Sequence, residues 1–388
     1  MSKLANAALS LVLVACGNVA PAEAPPGPAL GPAGITSQPA PTPVASSVAP
    51  PAASLTADTS AAKPTPPAPP PEPGPPPGSL ARGDGAPADA ELGLGDAAYL
   101  ADQLKVARAH YAKARQLAPK DPAPRVGLLR VDLANTGVAT DYAIAPKNAK
   151  IRALVRQADA IIKLGPEFGP AYVEKGRLLL ILGDADQALK ALRRGVELSP
   201  QDPEAHSALG VALLALGKSA EALTSFERAV ELDRDSADRL TNLGTAYMLR
   251  GKVDQAIGAY ERAVRLSPDD PRAHGDLGTA YLSANRAKEA MVQLKRAVAL
   301  DPRATFLSNL GYAYQLGGDL KLAIATYRQA LKADPKLGSA WINLGTALAK
   351  QGELVEAEKA FKAALRLDPT DPRAKVNLAE LEQLKRKP

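Results

Sequence analysis

The sequence predicts an all-α fold: a right-handed α-solenoid of about eight helix pairs, closed by a C-terminal capping helix and preceded by a disordered Pro/Ala-rich linker. Three observations predict it. From about residue 88 onward, apolar stretches of helical spacing return every 34 residues. Within almost every unit a Gly or Asn breaks the pattern at the same place. Finally, 21 of the 36 prolines lie between Pro21 and Pro87, and no aromatic residue precedes Tyr99.

The first element is short. Lys3 is followed by an apolar stretch over residues 4–15, too short to cross a bilayer and shaped like a secretory signal. It ends Leu13-Val14-Ala15-Cys16-Gly17. This resembles the lipobox of bacterial lipoproteins: Leu three residues before the thiol, small residues at the cleavage point, then the cysteine. The resemblance implies removal of residues 1–15 and acylation of Cys16, with more than one acyl chain giving a firm anchor. Gly17, where enteric inner-membrane lipoproteins carry Asp, implies an outer-membrane lipoprotein facing the periplasm. Cys16 is the sole cysteine, so neither a disulfide framework nor a thiolate zinc site is expected.

Residues 16–87 form the second element. Without aromatics and with few large aliphatics, this stretch cannot bury enough surface to offset its conformational entropy. It is expected to be a disordered spacer with polyproline II character, strongest over residues 64–77, with a docking site for a proline-reading domain as the alternative.

The repeats occupy residues 88–388. Gly183, Gly217, Gly251, Asn285, Gly318 and Gly352 mark the break between two helices, A and B, because these residue types enter the left-handed region cheaply. Asp202-Pro203, Asp270-Pro271 and Asp371-Pro372 read as helix starts, with Asp capping free amides and Pro in the first turn. The first unit keeps the pattern but has Asp102 at its break. In the second, Pro119 and Pro166 lie 47 residues apart, 13 beyond the period. Helix A is expected over 122–134 and helix B over 150–164. The insertion at about 135–148 is either a tolerated surface loop or, given Tyr142 and Ile144, a partner-contacting one. Residues 371–387 read as the capping helix.

The last complete unit reads Trp341-x2-Leu344-Gly345-x2-Leu348, then Ala357-x3-Phe361-x2-Ala364-x4-Pro369. The fifth places Leu243, Gly244, Tyr247, Ala256, Tyr260, Ala263 and Pro268 alike. This is similar to the tetratricopeptide repeat, over about three quarters of the chain. The resemblance implies a superhelix whose helices A line a concave face that binds protein segments, extended peptides or helices. The inward positions are Asp238, Thr241, Asn242 and Thr245; Arg272, Asp276 and Thr279; Thr305, Ser308, Asn309 and Tyr312; Ser339, Asn343, Thr346 and Lys350; and Arg373 and Asn377 on the capping helix. Asn242, Asn309, Asn343 and Asn377 share one position, with Asp276 between them. Such amides either hold a peptide backbone or bond neighbouring helices together. Ser308 and Tyr312 stand where the family's carboxylate clamp needs Lys and Asn, so no clamp for a chaperone tail is expected.

His206 and His274 occupy the Trp341 position and are expected to pack in the seam. Arg228, Arg262 and Arg296 are expected on a solvated convex face. The formal net charge of +6 is spread over the chain, which disfavours nucleic acid as a partner. No nucleophile–base set, Gly-rich phosphate loop or paired metal ligands stand outside the repeat frame, so neither an enzyme nor a cofactor is expected. The function expected is a membrane-anchored scaffold for an envelope complex serving pilus, secretion or cell-wall machinery. The alternatives are a cytoplasmic peptide-binding adaptor and a non-catalytic partner of a glycosyltransferase.

Overall fold

The computed structural model describes residues 78–138 and 142–386. Cys16, the signal segment and the linker up to residue 77 lie outside the described residues. Among those described there are 17 helices and no strands. Helices A are α1 (Pro87–Leu100), α3 (Ala123–Ala134), α5 (Gly169–Leu182), α7 (Pro203–Ala215), α9 (Ala237–Leu249), α11 (Pro271–Ser283), α13 (Ala304–Leu316) and α15 (Gly338–Gln351). Helices B are α2 (Leu104–Leu117), α4 (Ala149–Leu164), α6 (Ala185–Leu198), α8 (Ser219–Leu232), α10 (Val253–Leu266), α12 (Ala287–Leu300), α14 (Leu320–Ala333) and α16 (Leu354–Leu367). The capping helix α17 (Pro372–Arg386) packs on α16 and is tied to it by a Lys385–Glu358 ion pair. None of the described helices is long and apolar enough to cross a membrane.

Each helix packs on the next, as an α-solenoid requires. Most successive helices A also touch one another, whereas no two helices B approach comparably, so helices A form the inner row. The core runs along the A–B seam. Tyr111, Phe226, Tyr260, Leu294, Tyr327 and Phe361 on helices B are buried there. Each lies over a glycine on helix A: a Cβ at Gly345 would sit 2.5 Å from the Phe361 ring, and one at Gly244 2.6 Å from Tyr260. No side chain fits at that distance, which is why the repeat pattern pairs Gly with a large residue.

The breaks behave as predicted. Gly183, Gly217, Gly251, Gly318 and Gly352 all have φ between 70° and 88°, and Asn285 has φ 57°. Asp102 also enters the left-handed region, at 61°. Asp202 and Asp270 cap α7 and α11 by accepting from Glu204 N at 2.9 Å and Arg272 N at 2.9 Å. Asn148 caps α4 in the same way, accepting from Lys150 N at 2.9 Å.

Two segments are better defined than the sequence suggested. Residues 78–86, read above as the end of the linker, pack with the repeats. Leu80 is 2% exposed, and residues 78–86 lie on the first repeat as a strap. The insertion, in turn, is committed to its own fold. Ala143 N donates to Leu180 O at 2.9 Å, Ala145 N to Ile181 O at 3.1 Å, and the Tyr142 hydroxyl to Gly183 O at 3.3 Å. It thereby adds donors to the carbonyls at the C-terminal end of α5, where Leu180 O already accepts from Gly183 N at 2.9 Å. Ala143 adopts φ 52° to do so, and of the two side chains expected to meet a partner only Ile144 stays exposed.

Candidate protein-binding face

The strap shows how the inner row can hold a segment that has no helical hydrogen bonds of its own. Asp96 on α1 is buried, and its Oδ2 accepts from Ser79 Oγ at 2.8 Å, Leu80 N at 2.6 Å and Ala81 N at 3.3 Å. Its Oδ1 accepts from the Tyr111 hydroxyl at 2.7 Å. Two turns earlier, Asp89 accepts from Arg82 N at 2.6 Å and Gly83 N at 2.8 Å. Arg130 on α3 donates to Gly78 O at 3.1 Å. Six backbone or hydroxyl groups of one short looped segment are thus bonded to side chains on helices A. Arg82 adds a two-pronged ion pair with Asp121, both contacts 2.9 Å, and lies over the Phe168 ring.

From Arg130 a line of ion pairs runs down the inner row. Arg130 Nε lies 2.7 Å from Glu174 Oε1, and Arg177 Nη1 lies 3.2 Å from Glu174 Oε2. Arg177 Nε is 3.3 Å from Glu204 Oε1, off-line enough that this oxygen has no hydrogen bond. Arg239 on α9 then reaches Glu204 at 3.4 Å and Asp233 at 2.9 Å. Burial alone would raise the Glu174 carboxyl, but Arg177 and Arg130 outweigh it and hold the group below the usual carboxylate range. Further on, Arg272 on α11 meets Asp270 at 3.3 Å and Asp238 at 3.9 Å. Burial pushes Asp238 up to about 7 and Asp276 up to about 7, because Arg272 compensates each only in part.

The predicted inner positions do fall on helices A and α17, but many are engaged with each other. Asn242 is buried and donates to Ser207 Oγ at 3.5 Å. Asn309 donates to Thr279 Oγ1 at 2.9 Å, and Asn377 to Thr346 Oγ1 at 3.2 Å. These amides therefore stitch successive helices A together. Asn343, at the corresponding place, is half-buried and makes no side-chain hydrogen bond among the described residues. Thr245 bonds Thr241 O and the Tyr260 hydroxyl, both at 3.0 Å. Thr279 and Thr346 donate back to Gly275 O and Ile342 O. Thr241, Tyr312 and Asn343 are half-buried, and Lys350 and Arg373 are exposed. Arg373 pairs with Asp371 at 3.1 Å.

The position shared by His206, His274 and Trp341 has a definite bonding role. Their ring nitrogens lie 3.0, 3.0 and 2.9 Å from the carbonyls of Pro200, Pro268 and Pro335. The Tyr172 hydroxyl does the same to Pro166 O at 3.0 Å. Arg228 and Arg296 pair with Gln201 and Asp269 beside them, as expected of a solvated outer face. Sequence reasoning missed the strap carboxylates and the ion-pair line. The positional rule used for the fifth and later units selects Asp89, Asp96, Arg130, Glu174, Arg177 and Glu204 when extended to the first four.

The tetratricopeptide repeat family model matches residues 173–237, 241–305, 293–338 and 308–372, just over half of the chain. The protein belongs to the tetratricopeptide repeat family, whose members are protein-interaction scaffolds. The crystal structure of the APC/C hetero-tetramer Cut9-Hcn1 is 16% identical with a TM-score of 0.56; the match covers 76% of this chain and 55% of that one. This chain thus spans about half the length of that protein, and the likeness is one of fold. PilF of Pseudomonas aeruginosa is 19% identical with a TM-score of 0.48, over 55% of this chain and 97% of its own. YrrB, described as a TPR protein with an unusual peptide-binding site, is 22% identical with a TM-score of 0.41, over 48% and 97%. Comparison with curated proteins gave no match.

Proposed function

We propose that this protein is a membrane-anchored, non-catalytic scaffold that grips extended segments of its protein partners along the face lined by helices A, in a complex of the cell envelope. One observation carries the reading. A non-helical segment of the chain itself, residues 78–83, is held on that face through its backbone by Asp89, Asp96 and Arg130. A surface that takes hold of main-chain groups in this way suits segments of varied sequence. Beyond the strap the inner row continues through six further repeats and offers Thr241, Thr279, Tyr312, Asn343, Lys350 and Arg373 to such a segment.

The anchor is argued from Leu13-Val14-Ala15-Cys16-Gly17. A diacylglycerol group attached to the Cys16 thiol would hold the chain at a membrane, and residues 17–77 would give the repeats reach from it. Gly17 favours the outer membrane facing the periplasm, and the layout of anchor, linker and repeats suits a complex of pilus, secretion or cell-wall machinery. Metabolic lipid labelling with membrane fractionation tests this beside Cys16→Ala. The native protein is expected to carry label and pellet with membranes, and the variant to do neither. If both forms are unlabelled and soluble, the anchor is wrong and the protein is a cytoplasmic adaptor.

A further inference from the structure

The strap carboxylates and the inner carboxylates of the fifth and sixth repeats differ in one respect. Asp96 accepts four hydrogen bonds and Asp89 two. Asp276, equally inward and only 8% exposed, makes no hydrogen bond or ion pair among the described residues. It lies on the same stripe of α11 as Arg272 and Thr279, at i−4 and i+3, and Thr279 is where Asn309 of the next repeat reaches across the inner row. The position thus faces along the groove and not into the seam. Three carboxylates, Asp238, Asp270 and Asp276, gather about Arg272. Asp270 holds the Arg272 guanidinium through Nε at 3.4 Å and Nη2 at 3.3 Å, against 3.9 Å to Asp238, which leaves Asp238 and Asp276 with the smaller share of its charge.

We infer that Asp238 and Asp276 form a subsite that receives a guanidinium or ammonium side chain of the partner segment, so that the groove selects partners with a basic residue at this point. The inference rests on the groove reading proposed above. A buried carboxylate without donors is unfavourable, and a cationic side chain supplies both the charge and the donors. A neutral backbone supplies donors alone, which is sufficient at Asp96, where Arg130 stands nearby. Toward the C-terminal end the exposed inner side chains are the cations Lys350 and Arg373, so a basic residue is favoured in the middle of the groove and not throughout it.

The subsite also has a pH signature. Asp276 faces Arg272 and Asp270 on its own helix and Tyr260 from α10, while Asp238 faces Arg272, Asp270, Glu204 and Arg239. Both carboxyls are raised to about 7, so lowering the pH through 7 protonates them and removes the attraction for a cation. Binding should therefore strengthen as pH rises through about 7 and level off above it.

The test is selection of random heptapeptides from a display library on the full chain, beside Asp276→Asn and Asp238→Asn/Asp276→Asn. Asn already occupies the equivalent of residue 276 in four other units, so the variants are expected to fold. Raised carboxyls favour the folded state at low pH and lose that contribution as pH rises, so D276N should melt no lower than the native chain at pH 8. Arg and Lys should be enriched on the native chain and not on the double variant. Replacing the selected Arg by citrulline should weaken binding by about tenfold or more. Peptides that bind without cation preference, or with one that survives in the double variant, overturn this subsite and leave the groove reading standing. If no peptide binds any form, both fall.

Discussion

Glu174→Ala is expected to destabilise the protein by about 3–5 kcal/mol, the magnitude for breaking one side of a buried ion pair. Glu174 is 1% exposed and sits between Arg130 and Arg177, both buried against it. Its removal strands two guanidinium groups inside the first half of the stack. Arg130 keeps only Gly78 O, and Arg177 keeps only its off-line contact with Glu204. The loss should fall on the third repeat and its neighbours, because each repeat contacts only the adjacent ones. Hydrogen exchange should therefore report faster opening in α3, α5 and α7 and little change in α13–α16. The same residue sets an acid limit. Its folded carboxyl is held below the ordinary value, so its stabilisation is complete above about pH 4.3 and is lost as pH falls through the lowered folded value. Acid should open the native N-terminal half by this route, and Glu174→Ala should no longer show that limb.

Asp96→Ala is expected to release the strap. The substitution removes the acceptor for three strap groups and leaves the buried Tyr111 hydroxyl without a partner. Hydrogen bonds to a charged group contribute about 1.5–3 kcal/mol each, and an orphaned hydroxyl adds a further penalty. A loss of about 2–4 kcal/mol in the local stability of the first repeat follows, after allowing for water reaching the opened site. Exchange at Leu80, Ala81, Arg82 and Gly83 should become unprotected even though Asp89 is intact, because Leu80 leaves its buried place with the strap. Protected strap amides in Asp96→Ala would show that Asp89, Arg130 and the Arg82–Asp121 pair hold the segment by themselves.

How much of this could be read from the sequence differs by the kind of force involved. Breaks were legible because they depend on one residue's backbone freedom: Asn285 stood in a column of glycines, and it adopts φ 57°. The second unit's helices were legible to within a residue, from the expected 122–134 and 150–164 to Ala123–Ala134 and Ala149–Leu164. The strap was not, since residues 78–86 continue the Gly- and Ala-rich, aromatic-free run of the linker before them and have no helical spacing. What holds the strap is its backbone amides, which every non-proline residue has, and the carboxylates that meet them lie on another element. The docking of the insertion escaped for the same reason: Ala143 and Ala145 act through N–H groups. The Asn positions were located correctly, but only the structure shows that Asn309 and Asn377 are engaged with Thr279 and Thr346. The ion-pair line was present in the sequence as Glu174 and Arg177, which with Lys175 are the three charges of an otherwise largely apolar helix. Their meaning depends on Arg130 and Glu204, which only stacking brings beside them.

The central claim is that partners are held on the face of helices A. Site-specific photocrosslinking in living cells tests it most directly, with a photoreactive phenylalanine at Tyr312, a second probe at Lys350, and a third at Arg262, which is exposed on the outer helix α10. The account predicts discrete crosslinks to protein partners from positions 312 and 350, none from 262, and their loss from membrane fractions in Cys16→Ala. Crosslinks from 262 alone, with positions 312 and 350 silent, would contradict it.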